Sequence, residues 1–213
     1  AHLTMNGGTV NNNGMFNADS TSGSLLSFGD GGTNAFNNAG TFTKLGAGLM
    51  RFYVFSTGVP FNNTGIVDVQ GGTLQLDAGG TSTGSHTIAS GARIELNSTH
   101  AINNGSSFAG AGVLDVVAGT ATFTGTIPVN SGFTLSGGTL NGTGSVTLSA
   151  AASWTGGTMS GSGTTIIAPT GTLSLSGGIH FLNRVLENNG AVSWTSTHLT
   201  MNGGTVNNNA MFN

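Results

Sequence analysis

The chain has 213 residues, of which more than half are Gly, Ser, Thr or Asn, and only 5% are charged. Its net charge of −3 and its four scattered basic residues exclude a basic surface for nucleic acid, and the lack of cysteine excludes disulfides and thiolate metal sites. No apolar run reaches the roughly 18 residues that a membrane-spanning helix needs, because the longest, GLMRFYVF (48–55), is interrupted by Arg51.

The first stretch of the chain, AHLTMNGGTVNNNGMFN (1–17), returns as THLTMNGGTVNNNAMFN (197–213). The two copies differ only at Ala1/Thr197 and Gly14/Ala210, and the offset between them is 196 residues. Such a period is typical of repeat architectures. We therefore predict one domain, residues 1–213, made of one 196-residue repeat and the opening of the next copy at residues 197–213.

The residues between the copies predict short β-strands throughout. Apolar and polar residues alternate in packets such as FTL (133–135), VTL (146–148) and LSL (173–175), which is the pattern of half-buried strands. Hydrophobic residues make up 37% of the chain, which is high for a disordered linker. Even FLNRVLENN (181–189), the one stretch with helical character, is predicted to be strand.

A shorter repeat lies within the long one, and a small residue before a strand marks the start of each unit. The markers are Gly14, Gly40, Gly65, Gly91, Gly112, Gly132, Ala152, Gly171, Gly190 and Ala210. Their spacing of 19–26 residues suits one coil of a β-solenoid, in which each coil buries its inner face against its neighbours. We expect a right-handed parallel β-helix of about nine to ten coils, with extra loop near residues 18–23 and 79–85.

Equivalent residues of successive coils should stack in columns about 4.8 Å apart, so that nine coils would rise roughly 43 Å. Apolar residues near the markers predict a core stripe formed by Phe16, Phe42, Val67, Ile94, Leu114, Trp154, Leu173, Val192 and Phe212. Asparagines two positions before the markers predict a structural ladder of side-chain amides formed by Asn12, Asn38, Asn63, Asn130, Asn188 and Asn208.

Three carboxylates, Asp68, Glu95 and Asp115, occupy equivalent positions in successive units and are expected to form an outward acidic column. Neighbours in such a column would lie about 5 Å apart. Solvated surface positions, with Lys44 and Arg93 nearby, are the favoured interpretation. The alternatives are a site for a hard cation such as Ca²⁺ and a carboxylate pair for glycoside hydrolysis.

Other residue patterns predict no catalytic residue, no cofactor-binding residue and no metal ligand. The five histidines, at positions 2, 86, 100, 180 and 198, lack the spacing of a metal motif and are expected at the surface or in loops. FGDGGTN (28–34) is similar to one calcium-binding nonapeptide, but it does not recur every nine residues. We therefore expect no cofactor and no enzymatic activity.

Phrases such as GTLSLSGG (171–178), SGGTLNGTGSVTLS (136–149), GGTLQLDAGG (71–80) and ENNGAVSW (187–194) resemble the passenger regions of bacterial autotransporters and filamentous-haemagglutinin-like adhesins. The resemblance covers nearly the whole chain and lies in composition and coil pattern rather than in site residues. It implies a parallel β-helix that is secreted to the cell surface as part of a large repetitive polypeptide.

The sequence favours a structural function, namely a stiff segment of a long extracellular or cell-surface fibre. Further copies of the same repeat, stacked end to end, are the expected partners, and lateral filament partners or surface glycans are further candidates. The alternatives are an adhesin that binds glycans or proteins through its outer face and, less favoured, a polysaccharide-acting enzyme on the same fold. Neither nucleic acid nor a membrane span is expected.

Overall fold

The computed structural model describes residues 2–20, 25–29, 32–54 and 57–213, and every regular element in them is a β-strand. The strands in the first third are β1 (His2–Met5), β2 (Thr9–Asn12), β3 (Met15–Asp19), β4 (Leu25–Gly29), β5 (Ala35–Asn38), β6 (Thr41–Leu45), β7 (Leu49–Val54), β8 (Phe61–Asn63), β9 (Ile66–Val69) and β10 (Thr73–Leu76). The middle strands are β11 (Gly80–Ser82), β12 (Ser85–Ile88), β13 (Arg93–Leu96), β14 (His100–Ile102), β15 (Ser107–Ala109), β16 (Val113–Val116), β17 (Thr120–Phe123), β18 (Thr126–Val129), β19 (Gly132–Leu135), β20 (Thr139–Asn141) and β21 (Ser145–Leu148). The last strands are β22 (Ala151–Trp154), β23 (Thr158–Met159), β24 (Thr164–Ile167), β25 (Thr172–Leu175), β26 (Ile179–Leu182), β27 (Val185–Asn188), β28 (Ala191–Trp194), β29 (His198–Met201), β30 (Thr205–Asn208) and β31 (Met211–Phe212).

Every third strand belongs to the same parallel sheet. Sheet A holds eleven strands from β1 to β31, sheet B ten from β2 to β29, and sheet C ten from β3 to β30. Three strands make one coil, so the described residues form ten coils and the first strand of another. The predicted parallel β-solenoid is confirmed, and its coils range from the short step between Val113 and Gly132 to the long step between Thr9 and Ala35. Right-handed winding stays a prediction.

Alternate strand residues point to the axis and to the outside. In β13, Ile94 and Leu96 are buried, whereas Arg93 and Glu95 are partly exposed. Stacking then places Ile94 directly on its equivalents in the neighbouring coils. Burial of such a side chain contributes about 1.5–3 kcal/mol, and a coil obtains it only from its neighbours.

The longest coils enclose an aromatic cluster. Its ring centroids lie 4.7–5.9 Å apart, and its members are Phe16, Phe36, Phe42, Phe52 and Phe61. Edge-to-face and stacked pairs at these distances each add about 0.5–1.5 kcal/mol to the burial of the rings.

The predicted equivalence of Gly65 and Gly91 is wrong. Gly65 precedes β9 of sheet C, whereas Gly91 lies before β13 of sheet A. The segment between these markers holds four strands, and the loop expected at residues 79–85 contains β11 and the start of β12. The step from Gly14 to Gly40 has the same length, but its described residues form three strands, so length alone could not reveal the fourth. The loop expected at residues 18–23 lies partly outside the described residues.

The predicted core stripe is divided among three inward columns. The column in sheet C contains Phe16, Phe42 and Val67. One column of sheet A contains Ile94, Leu114, Leu173, Val192 and Phe212. Trp154 lies in the adjacent column of sheet A, between Leu135 and Leu175. Phe16 and Phe212 are half-buried because they lie in the end coils, and the other seven residues are buried.

Two basic residues are buried and satisfy backbone carbonyls at the corners. Lys44, which was expected on the surface beside the acidic column, donates through Nζ to the carbonyl oxygens of three glycines, Gly46, Gly48 and Gly71, at 2.5–2.7 Å. Burial lowers the pKa of Lys44, and nearby Asp19 opposes the shift. Arg184 donates to carbonyl oxygens of two earlier coils, and burial lowers the pKa of its guanidinium to about 10.

Candidate functional site

A ladder of asparagine side chains lines the corner between sheets B and C in the first coils. Asn12 Nδ2 donates to Asn38 Oδ1 at 2.7 Å, and Asn38 Nδ2 donates to Asn63 Oδ1 at 2.8 Å. The same two nitrogens also donate to backbone carbonyls of the next coil, Thr41 O at 3.0 Å and Ile66 O at 2.9 Å. All three asparagines are buried. Because buried amides cost free energy when unpaired, these bonds fix each coil on the next.

The sequence Asn-x-Gly builds this corner as well as the ladder. Gly14 N donates to Asn12 Oδ1 at 3.3 Å, and Gly190 N donates to Asn188 Oδ1 at 3.1 Å. This bond from residue i+2 to a side-chain oxygen is the Asx-turn that asparagine favours. The same asparagine side chain therefore stabilises the turn that follows it and donates a hydrogen bond to the neighbouring coil.

A second part of the ladder lies at the other end of the molecule, in the corner between sheets C and A. Asn188 Nδ2 donates to Asn208 Oδ1 and to Met211 O, both at 2.7 Å. The predicted single column is therefore wrong. Asn130, which was expected in it, is exposed and follows the end of β18. Apolar residues occupy the inward columns between the two parts, for example Ile102 and Ile167.

A buried histidine caps the first part of the ladder. His86 Nδ1 lies 3.1 Å from Ser107 O, an atom that can only accept, so this nitrogen carries the proton. His86 Nε2 then accepts a long bond of 3.4 Å from Asn63 Nδ2. The ring stacks on Phe108 with centroids 4.3 Å apart. Burial lowers the pKa of His86 to about 4, against the opposing effect of its bond to Ser107.

Three of the five histidines are buried, so the expectation of surface histidines is wrong for them. His100 Nε2 lies 3.1 Å from Leu76 O, and burial lowers the pKa of His100. His180 faces two carbonyl oxygens and contacts Trp154 edge to face at 4.9 Å. A cavity of about 20 Å³ lies between His86 and His100, and it has room for about one water molecule.

The predicted acidic column is also wrong. Glu95 and Asp115 are neighbours in sheet A, but Asp68 lies in sheet C between Thr43 and Thr87. The reason is the fourth strand between Gly65 and Gly91. Because of it, the markers up to Gly65 precede strands of sheet C, whereas those from Gly91 onward belong to strands of sheet A. Among the described residues, no three His, Asp or Glu side chains are grouped closely enough to hold a metal ion.

Glu95 and Asp115, which are register neighbours in sheet A, each interact with side chains of the solenoid. Arg93 Nη1 lies 2.5 Å from Asp115 Oδ2, and its Nε lies 4.0 Å from Glu95 Oε1. Ser136 Oγ donates to Asp115 Oδ1 at 2.8 Å, and Gln75 Nε2 donates to Glu95 Oε2 at 3.1 Å. Burial raises the pKa of Glu95, and Arg93 opposes the shift. The arrangement joins adjacent coils through side chains on the outer face of sheet A. Asp115, which was expected to be solvated, is buried there.

Sequence reasoning missed a second, outer ladder on sheet B. Asn37 Nδ2 donates to Asn11 Oδ1 and Asn62 Nδ2 donates to Asn37 Oδ1, both at 2.9 Å. Thr81 continues the row by donating through N and Oγ1 to Asn62 Oδ1. The signal was the paired asparagines at 11–12, 37–38 and 62–63, because adjacent strand residues face opposite sides.

Both ends of the stack present strand edges. In the described residues, β1, β2 and β3 are the edge strands at one end, and β29, β30 and β31 at the other. Trp194 stacks on Leu175 in an inward column and is nevertheless 43% exposed, because β31 pairs only with Ala191 and Val192 of β28 and does not cover it. Free strand edges and uncovered inward residues are the surfaces on which a solenoid accepts another coil.

Comparisons with protein-family models, curated proteins and solved structures give no match for the chain. The described part of the chain contains no helix that could span a membrane.

Proposed function

We propose that the chain is a structural segment of a long, repetitive fibre that is secreted or displayed at a cell surface. The observation that carries the proposal is the return of residues 1–17, with two substitutions, as a coil of the same continuous stack. A sequence that folds as the next coil at position 197 can begin another 196-residue copy.

The proposed mechanism is mechanical. Each of the three sheets is unbroken from one end of the described stack to the other, so backbone hydrogen bonds run along the whole axis. The asparagine ladders and the Arg93–Asp115 pair add side-chain links between coils. Stability in such a stack is the sum of coil terms and interfaces between neighbours, so added copies lengthen the rod without weakening it.

The extracellular location rests on the resemblance to autotransporter passengers and filamentous haemagglutinins. The outer face is poor in charge, since charged residues are 5% of the chain. Its hydroxyl and amide groups offer hydrogen bonds to lateral filament partners or to surface glycans.

Electron microscopy of purified proteins with one, two and four tandem copies tests the fibre. We expect unbranched rods whose length grows by about 45 Å for each added copy, given a rise of about 4.8 Å per coil. Antibodies against the chain should label unpermeabilised cells of the source organism. Compact particles whose longest dimension does not grow with copy number would contradict the fibre, and labelling only after permeabilisation would contradict the location.

A further inference from the structure

The two copies of the repeated sequence lie in different sheets. HLTM forms β1 of sheet A at residues 2–5 and β29 of sheet B at residues 198–201. TVNN likewise moves from sheet B to sheet C, and the Met-Phe pair from sheet C to sheet A. The exposed side chains of Met15 and Met211, which are the same repeat position, therefore face outward from different sheets.

The strand count explains this displacement. The described residues place 28 strands, β1 to β28, between the starts of the two copies. Since three strands make a coil, the repeat contains nine coils and one further strand. A copy that contained whole coils would return each residue to its own sheet.

The two parts of the buried ladder meet at the junction between copies. Asn208 is the repeat equivalent of Asn12, and it accepts from Asn188 at 2.7 Å. Asn12 in turn donates to Asn38, and Asn38 donates to Asn63. Across a junction these bonds join into a run of four asparagines, which the equivalent of His86 ends.

We infer that the end formed by β29, β30 and β31 takes the next copy of this repeat turned by one sheet, with the asparagine ladder continuous through the junction. This inference rests on the proposed function. As a result, the outer surface that sheet A presents in one copy is presented by sheet B in the next copy and by sheet C in the one after that. The same orientation returns only after three copies, or 28 coils, which is roughly 130 Å at about 4.8 Å per coil.

Nitroxide labels on paired cysteines test the strand that causes the turn, and the chain has no native cysteine to interfere. In the structure Asp68 is the register neighbour of Thr87, whereas Glu95 lies in another sheet. We expect strong spin–spin broadening for Asp68→Cys with Thr87→Cys, because register neighbours lie about 5 Å apart. We expect weak broadening for Asp68→Cys with Glu95→Cys. The reverse result would mean that each repeat consists of whole coils, and it would overturn the inference.

A four-copy protein with Thr87→Cys in each copy tests the turn itself. Gold clusters on these exposed cysteines should occupy three sides of the rod in succession, so that labels on one side recur at roughly 130 Å. Rods whose labels all lie on one side, about 45 Å apart, would overturn the inference while the fibre proposal stands. Compact particles without rods would contradict both.

Discussion

Asparagine side chains form hydrogen bonds between coils of this solenoid, and their contribution to stability depends on whether they face the interior or the solvent. Asn37 and Asn38 are adjacent in β5, yet Asn38 is buried and Asn37 is partly exposed. Each donates one side-chain hydrogen bond to an asparagine of a neighbouring coil. Water can replace the partners of Asn37, but it cannot reach those of Asn38 without opening the stack.

Asn38→Ala should lower the free energy of unfolding by roughly 3 kcal/mol. The variant removes the donor to the buried Oδ1 of Asn63 and one of the acceptors of Asn12 Nδ2. Asn37→Ala, the matched control, should cost under about 1 kcal/mol, since its partners can bind water. Urea unfolding followed by circular dichroism compares the two variants. Equal losses would contradict the assignment of the stabilising ladder to the inner side.

His86 should make the solenoid sensitive to acid. Burial lowers its pKa from 6.5 to about 4, so the unfolded chain binds a proton at a higher pH than the folded chain does. Stability should be unaffected by His86 above pH 6.5 and should fall by about 3 kcal/mol as the pH drops from 6.5 to 4.

His86→Gln keeps an acceptor for Asn63 and removes the titration. Its stability should therefore fall less steeply over the same pH range, whatever its value at neutral pH. The slope that remains has a contribution from His100, whose pKa is also lowered by burial. Parallel pH profiles for the wild type and the variant would show that His86 is not responsible.

At the scale of the strand and corner, close stacking forces certain positions to be glycine. A Cβ on Gly40 would overlap the carbonyl oxygen of Gly14, and a Cβ on Gly65 would overlap that of Gly40. Neither residue has a positive φ, so crowding by the previous coil, rather than backbone strain, is the reason. Gly14 has no atom within 4 Å of its Cβ position, and its repeat equivalent is Ala210.

Gly40→Ala should therefore destabilise the chain by roughly 3 kcal/mol, since backbone atoms must move to admit the methyl group. Gly14→Ala in the same protein should leave the melting temperature within about 2 °C of the wild type, because the site has space. Thermal unfolding measures both variants. A neutral Gly40→Ala would mean that the coils are less tightly stacked at this corner than the structure shows.

The sequence was sufficient for the strands and the coil length but not for the assignment of strands to sheets. Period-two alternation and regular glycines predict the strands and the spacing of the coils, because these are local properties. Glycine and other small residues recur at the corners between different pairs of sheets, so a shift by one strand between Gly65 and Gly91 leaves the local pattern intact. The burial of His86 and Lys44 could not be predicted, because each depends on a partner in another coil. Lys44 donates to the carbonyl of Gly71, and His86 lies between Asn63 and Ser107.

At the scale of the whole molecule, the one strand that each 196-residue repeat has beyond nine coils determines which surfaces the sides of the proposed fibre would present to neighbouring fibres. A repeat of whole coils would show one chemical surface along each side and would favour flat, two-dimensional association. A repeat that ends one sheet further on distributes the same surface around the axis. Lateral contacts between such fibres would then extend in three directions and build a bundle rather than a ribbon.

The aromatic cluster of the first coils has a consequence for the outline of the fibre. The coils around Phe36 and Phe61 are longer than those in the second half of the chain. One coil runs from Thr9 to Ala35 in the first region, but only from Val113 to Gly132 in the second. A tandem array would therefore contain its longest coils, which hold the aromatic cluster, once in every copy, and we expect its thickness to vary with that period. Stained filaments should show a periodic profile of thickness near about 45 Å, and this profile would count the copies in a native filament without any label.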